Sequence, residues 1–86
     1  MYHLEIDPTA LKFLNRLKKS QPRLCDHVIL AIDELTKFPH KGKKLMGGWQ
    51  DFRSLRVGQY RVIYTVIEKY VLIQVVKIAH RREVYQ

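Results

Sequence analysis

"QYRVIYTVI", residues 59–67, decides how the rest of the chain is read. Tyr60, Val62, Tyr64 and Val66 alternate with Arg61, Ile63, Thr65 and Ile67, and a two-residue period belongs to a strand that shows one set of side chains on each face. The β-branched and aromatic residues in both sets suit a strand bound for a core. Arg61 is the exception, a permanently charged guanidinium inside a run of β-formers.

Two more alternating stretches flank this one. "DFRSLRV" (51–57) sets Phe52, Ser54 and Arg56 against Arg53, Leu55 and Val57. "YVLIQVVKIAH" (70–80) puts Val71, Ile73, Val75, Lys77 and Ala79 on one side, with Arg81 to follow, provided that no bulge interrupts the strand. Gly58 and Glu68-Lys69 are the only turn signals between them, so the three strands should form hairpins and pair antiparallel.

Upstream the period changes. "YHLEI" (2–6) alternates as a short first strand. Asp7-Pro8 then supplies a carboxylate at an N-cap and a proline at the first helical position. Ala10, Leu11, Phe13, Leu14 and Leu17 make an apolar stripe at helical spacing, with Lys12, Arg16, Lys18 and Lys19 beside it or at its C-terminal end. Ser20 and Pro22 repeat the start signal. Leu24, Val28, Ala31, Ile32 and Leu35 define a second amphipathic helix that should stop before Pro39. "HKGKKLMGGWQ" (40–50) reads as a Gly- and Lys-rich connection. The order is β-α-α-β-β-β: an α+β domain spanning 1–86, with a helical hairpin packed on one face of a small antiparallel sheet.

Composition narrows the function. Eighty-six residues suit one domain, and a hydrophobic fraction of 47% supports a core rather than a disordered chain. No apolar run approaches the ~20 residues of a membrane span, and "MYHLEIDPTA" lacks the layout of a secretory signal, so a cytoplasmic protein without a membrane partner is expected. The lone Cys25 allows no internal disulfide and reads as a buried, inert thiol. No Asp, Glu or His cluster has ligand spacing, so no metal or cofactor is expected. Sixteen Lys and Arg against eight Asp and Glu give a net charge of +8, which favours a polyanionic partner, nucleic acid first and an acidic protein second. The cations cluster: residues 41–61 hold Lys41, Lys43, Lys44, Arg53, Arg56 and Arg61 against Asp51 alone.

Helices can cover one face of the sheet, so the other face, carrying several arginines, is a candidate site for an RNA backbone. Arginine's planar fork offers two parallel donors to a phosphate. The alternative for Arg61 is an ion pair with Asp51 or Glu83. Lys41, Lys43 and Lys44 read as a patch that steers an RNA backbone, and Trp49 as a core anchor or a base-stacking platform. His3, His27 and His40 show no partner spacing.

"LRVGQYRVIYTV" followed by "IQVVKIAHRREVY" resembles the C-terminal half of the RelE toxins of the RelE/ParE superfamily, and "KKLMGGWQDFRSLRVG" with the β-α-α start extends the resemblance over nearly the whole chain. The resemblance implies the toxin of a type II toxin-antitoxin pair that cuts mRNA in the ribosomal A site. It implies that Arg61 holds the scissile phosphate, that Arg81 stabilises the transition state and the leaving group, and that Tyr85 stacks on or activates the attacked nucleotide. Arg56 matches a basic position on the preceding strand. Some members carry two lysines on that strand where this chain has Phe52 and Ser54; Arg53 is the nearby cation, one residue out of phase.

RNA brings its own nucleophile, the 2′-hydroxyl beside the scissile phosphate. Proton transfer falls to Tyr85, whose phenol would need Arg81 and Arg82 as cationic neighbours, or to His80, whose ordinary pKa suits acid-base work. The parity of His80 differs from that of Arg81. Two other functions use the same fold: a ParE-like gyrase poison, and a catalytically silent RNA-binding domain. The basic surface also predicts a small acidic antitoxin that folds on binding, with higher-order toxin–antitoxin complexes as a further expectation.

Overall fold

The computed structural model describes residues 1–49, 51–80 and 82 of the chain, and of Trp49 the backbone only. Strand β1 (His3–Ile6) leads into helix α1 (Pro8–Ser20), and Gln21 alone separates α1 from α2 (Pro22–Glu34). A two-residue strand, β2 (Lys43–Lys44), precedes β3 (Arg53–Val57), β4 (Tyr60–Ile67) and β5 (Leu72–His80), with 3-10 turns at Gly47–Trp49 and Glu68–Tyr70. The sheet order is β1-β5-β4-β3-β2. From β2 to β5 the neighbours are antiparallel, as the short connections predict. β1 instead runs parallel to β5, which makes the sheet mixed. Parallel neighbours need a crossover, and the helical hairpin supplies it. β2 lies within the stretch that reads in sequence as a plain connection.

Proline sets both helix starts, but the capping side chains differ from expectation. Asp7 has the extended N-cap backbone, yet its carboxylate makes no cap. Asp7 Oδ1 accepts a hydrogen bond from Gln74 Nε2 at 2.8 Å and so ties the start of α1 to β5. Ser20 closes α1 rather than opening α2, its hydroxyl donating to the Arg16 carbonyl at 3.2 Å. Pro22 forces only its immediate predecessor out of the helical region, so the break falls at Gln21.

Ala10, Leu14 and Leu17 of α1 and Cys25, Val28 and Ile32 of α2 bury against the sheet. Leu11 is 48% exposed and leaves the stripe that Phe13 joins from its edge. The Cys25 thiol is buried, as expected, and donates weakly to the Leu14 carbonyl at 3.5 Å.

The strand faces follow the alternation on β3 and β4. Leu55, Val62 and Tyr64 belong to the core under the helices, and the register puts Ser54 opposite Ile63 and Arg56 opposite Arg61 on the other side. On β5 the alternation breaks. Ile63 pairs with Lys77 but Tyr64 pairs with Val75, so Val76 is an extra residue in a bulge. Ile73 and Val75 therefore lie under the helices, while Lys77 and Ala79 lie on the outer face. The expected single-sided series from Val71 to Ala79 is corrected by this one inserted residue.

Candidate nucleic-acid interface

The outer face of the sheet, away from both helices, gathers the cations. Arg61 on β4 is directly opposite Arg56 on β3, and its other neighbour is Ala79 on β5, a side chain without bulk. One step along, Ile63 is flanked by Ser54 and Lys77, and Ser54 in turn by Lys43 of β2. None of β2, β3, β4 and β5 contains an acidic residue. Like charges facing each other across an antiparallel pair destabilise it. A phosphate beside this pair could take charge-assisted hydrogen bonds from both guanidinium groups.

The floor beneath these cations is closed. Ile63, Ser54 and Ala79 are 1%, 4% and 4% exposed. Arg61 is half-buried, with Nε shielded from solvent. Low water access strengthens the attraction between a guanidinium and a phosphate. The Ser54 hydroxyl is buried and has no hydrogen-bond partner among the described residues. A polar group left in that state costs about 1–3 kcal/mol, and such groups concentrate where a protein has work to do.

Asp51, one alternative partner for Arg61, is not brought to it. The Asp51 carbonyl accepts from the Thr65 hydroxyl at 2.8 Å, four residues along β4, which is roughly 13 Å at strand rise. Glu83, the other alternative, lies outside the described residues. So do Arg81 and Tyr85, and so does the side chain of Trp49.

The remaining expected site residues separate from this face. Arg53 lies on the helix side, where its Nη1 donates to the carbonyls of Gly42 at 2.7 Å and His40 at 3.2 Å. Lys44 is in register with Arg53 and lies on the same side as it. Lys41 bonds Glu34 at 2.9 Å, and its hydrogen bond and charge hold the Glu34 carboxyl below its ordinary pKa. Of the three clustered lysines, Lys43 alone joins the outer face. His80 pairs with Tyr60 and lies on the helix side, where Phe13, Tyr60 and His80 make an edge-to-face row with ring centres 5.6 and 5.7 Å apart. Its Nδ1 accepts the backbone N–H of Arg82 at 3.3 Å, and Arg82 itself is exposed. The imidazole is thus on the opposite face from Arg61. His40 approaches Glu68 at 3.3 Å on the surface.

Lys77 is the residue that sequence reasoning missed. Strict alternation puts it on the same side as Ile73 and Val75, under the helices. Only the bulge at Val76 moves it to the side of Arg61.

A family model described as "ParE toxin of type II toxin-antitoxin system, parDE" matches residues 4–85. The chain is 31% identical to toxin RelE of Mycobacterium tuberculosis over 86 residues, 99% of this chain and 87% of that one. It belongs to the RelE/ParE family of type II toxins. Its fold matches a chain in the crystal structure of the RelBE2 toxin–antitoxin complex of Mycobacterium tuberculosis, with a TM-score of 0.81 and 26% identity over 93% of this chain and 98% of that one. The isolated RelE toxin of E. coli is similarly related, with a TM-score of 0.79 and 27% identity over 99% and 92% of the two chains. No helix among the described residues is long and apolar enough to cross a membrane.

Proposed function

We propose that this toxin is a ribosome-dependent endoribonuclease that cuts mRNA in the A site and so stops translation. The observation that carries this reading is the pair of arginines facing each other at Arg56 and Arg61, on strands that hold no acid. In the proposed reaction the 2′-oxygen attacks the adjacent phosphorus, the bond to the 5′-oxygen breaks, and the products are a 2′,3′-cyclic phosphate and a 5′-hydroxyl. The proton leaves the 2′-hydroxyl and another returns to the departing 5′-oxygen. Arg61 holds the scissile phosphate and its developing charge, with Arg56, Lys43 and Lys77 binding the flanking backbone. A well-placed donor of this kind contributes about 3–4 kcal/mol to transition-state stabilisation. Arg81 supplies the second charge and Tyr85 the contact with the attacked nucleotide, as the RelE resemblance implies. His80 enters as a positioning group at the end of β5, since it lies on the helix side beside Tyr60.

The proposed partners follow from charge. A small acidic antitoxin would wrap the +8 chain, and the similarity to the RelBE2 complex supports such a pairing. Its association rate should fall steeply with added salt.

A second reading, the gyrase poison, is favoured by one observation: the matching family model is named for ParE. Primer extension on ribosome-bound mRNA after a brief pulse of expression, with gyrase supercoiling assayed beside it, separates the two. Cleavage within codons at the A site with supercoiling untouched supports the ribonuclease. Inhibited supercoiling with intact mRNA supports the poison, and intact mRNA with blocked translation leaves a silent RNA-binding domain.

A further inference from the structure

Tyr64 is the largest fully buried side chain among the described residues, yet its hydroxyl is not an idle end of the core. It donates to the Pro39 carbonyl at 2.8 Å and accepts the Gly42 backbone N–H at 2.8 Å. Arg53, its neighbour across β3 and β4, holds the carbonyls of His40 and Gly42 from the same side. Four backbone groups of residues 39–42 are thus bound by two side chains rising from the helix face of the sheet. The approach is close: a Cβ on Gly42 would lie 2.7 Å from the Tyr64 hydroxyl oxygen, 2.8 Å from its ring and 3.0 Å from the Ser54 carbonyl. Glycine is needed at this position for space.

Immediately after Gly42 comes β2, whose two residues pair with Ser54 and Arg53. So short a strand specifies its own register weakly, and a slip of one residue exchanges the faces of its side chains. In the observed register Lys43 is on the outer face beside Ser54, and Lys44 is turned to the side of Arg53. We propose that Tyr64 and Arg53 are positioning residues of the RNA interface, a latch beneath the sheet that fixes the register of β2 and so selects Lys43, rather than Lys44, for the phosphate-binding face. This inference rests on the reading of the outer face as an RNA site. Burial raises the Tyr64 pKa, while the Gly42 hydrogen bond and the Arg53 charge partly offset that rise. The phenol therefore stays protonated at neutral pH and keeps its bond to Pro39.

The test uses the full-length toxin with Tyr64→Phe, which keeps the buried ring and removes only the hydroxyl, and with Arg53→Gln as a second variant should the first fold poorly. Two readouts are taken. In the free protein, NMR contacts between residues 43 and 54 and the exchange protection of the Gly42 amide report the register without any RNA. On programmed ribosomes, single-turnover cleavage reports the half-saturating concentration, its salt dependence and the maximal rate. The latch predicts loss of the 43–54 contacts and a several-fold rise in half-saturating concentration at little change in maximal rate. It also predicts a salt slope lower by about one, as for one lost phosphate contact, and little further effect of Lys43→Ala in the Tyr64→Phe background. An unchanged register in both variants overturns the latch, whatever the RNA reading. A lost register with unchanged salt slope and half-saturation overturns its link to Lys43. Failure of the parental toxin to cut on ribosomes overturns the ribonuclease reading instead, and the NMR result then stands by itself.

Discussion

On the helix side of the sheet, Val62, Tyr64, Ile73 and Val75 are completely buried, while the positions alternating with them on the outer side include Arg56, Arg61, Lys43 and Lys77. The same strands supply both sets, so the difference is one of partner. The helix side is satisfied within the chain, by α1, α2 and the bonds from Tyr64 and Arg53 to the loop at residues 39–42. The outer side sets Arg56 and Arg61 opposite each other in register and leaves a buried serine hydroxyl without a partner among the described residues. One face is closed by the helices, and the other carries the cations that the proposed function assigns to an RNA backbone.

If that contrast holds, substitutions on the two faces should separate stability from activity. The largest expected effect on stability is on the helix side. Ile73→Ala empties a fully buried site and should cost about 2–5 kcal/mol. Thermal melting should show a drop on the order of 10 °C or more for a domain of this size, while cleavage per folded molecule stays at the parental level. Loss of cleavage in the fraction still folded would blur the division. Lys77→Ala is a smaller change on the outer side. Lys77 is exposed, so melting should move by no more than about 0.5 kcal/mol. The salt dependence of ribosome binding should weaken by about one unit of slope. An unaltered slope would remove Lys77 from the phosphate contacts. The smallest effect is expected of Ser54→Ala. With its hydroxyl unpartnered in the free protein, stability should hold or rise, and cleavage should fall by roughly fivefold, the worth of about one hydrogen bond. A clear loss of stability would mean that the hydroxyl serves the fold.

Most of the helix side was legible in the sequence because α1, α2, β3 and β4 obey regular periods, whereas Ile78 reaches the core only through the bulge in β5. Helical spacing gave the stripes of α1 and α2, and strict alternation gave both faces of β3 and β4. The outer side was half legible. Arg61 and Arg56 came from the same alternation, but Lys77 did not, because a bulge adds one residue without any sign in composition. That single residue exchanges Lys77 for His80 as the group facing outward. Arg53 shows the other limit. Charge suggested a phosphate ligand, and its parity already pointed to the opposite face, but nothing in a one-dimensional pattern announces that two backbone carbonyls of a loop would be its partners. β2 was missed for a related reason, since two residues are too few to show a period.

The phosphate-binding role of the outer face is tested most directly at Arg61. The measurement is single-turnover mRNA cleavage on programmed ribosomes by Arg61→Ala and Arg61→Lys, with thermal melting of each protein. Both variants should melt like the parent. Cleavage should fall on the order of 100-fold or more for alanine, the effect of one missing transition-state donor, and recover in part for lysine, whose point charge lacks the two-pronged contact. An Arg61→Ala toxin that melts and cuts like the parent would contradict that role.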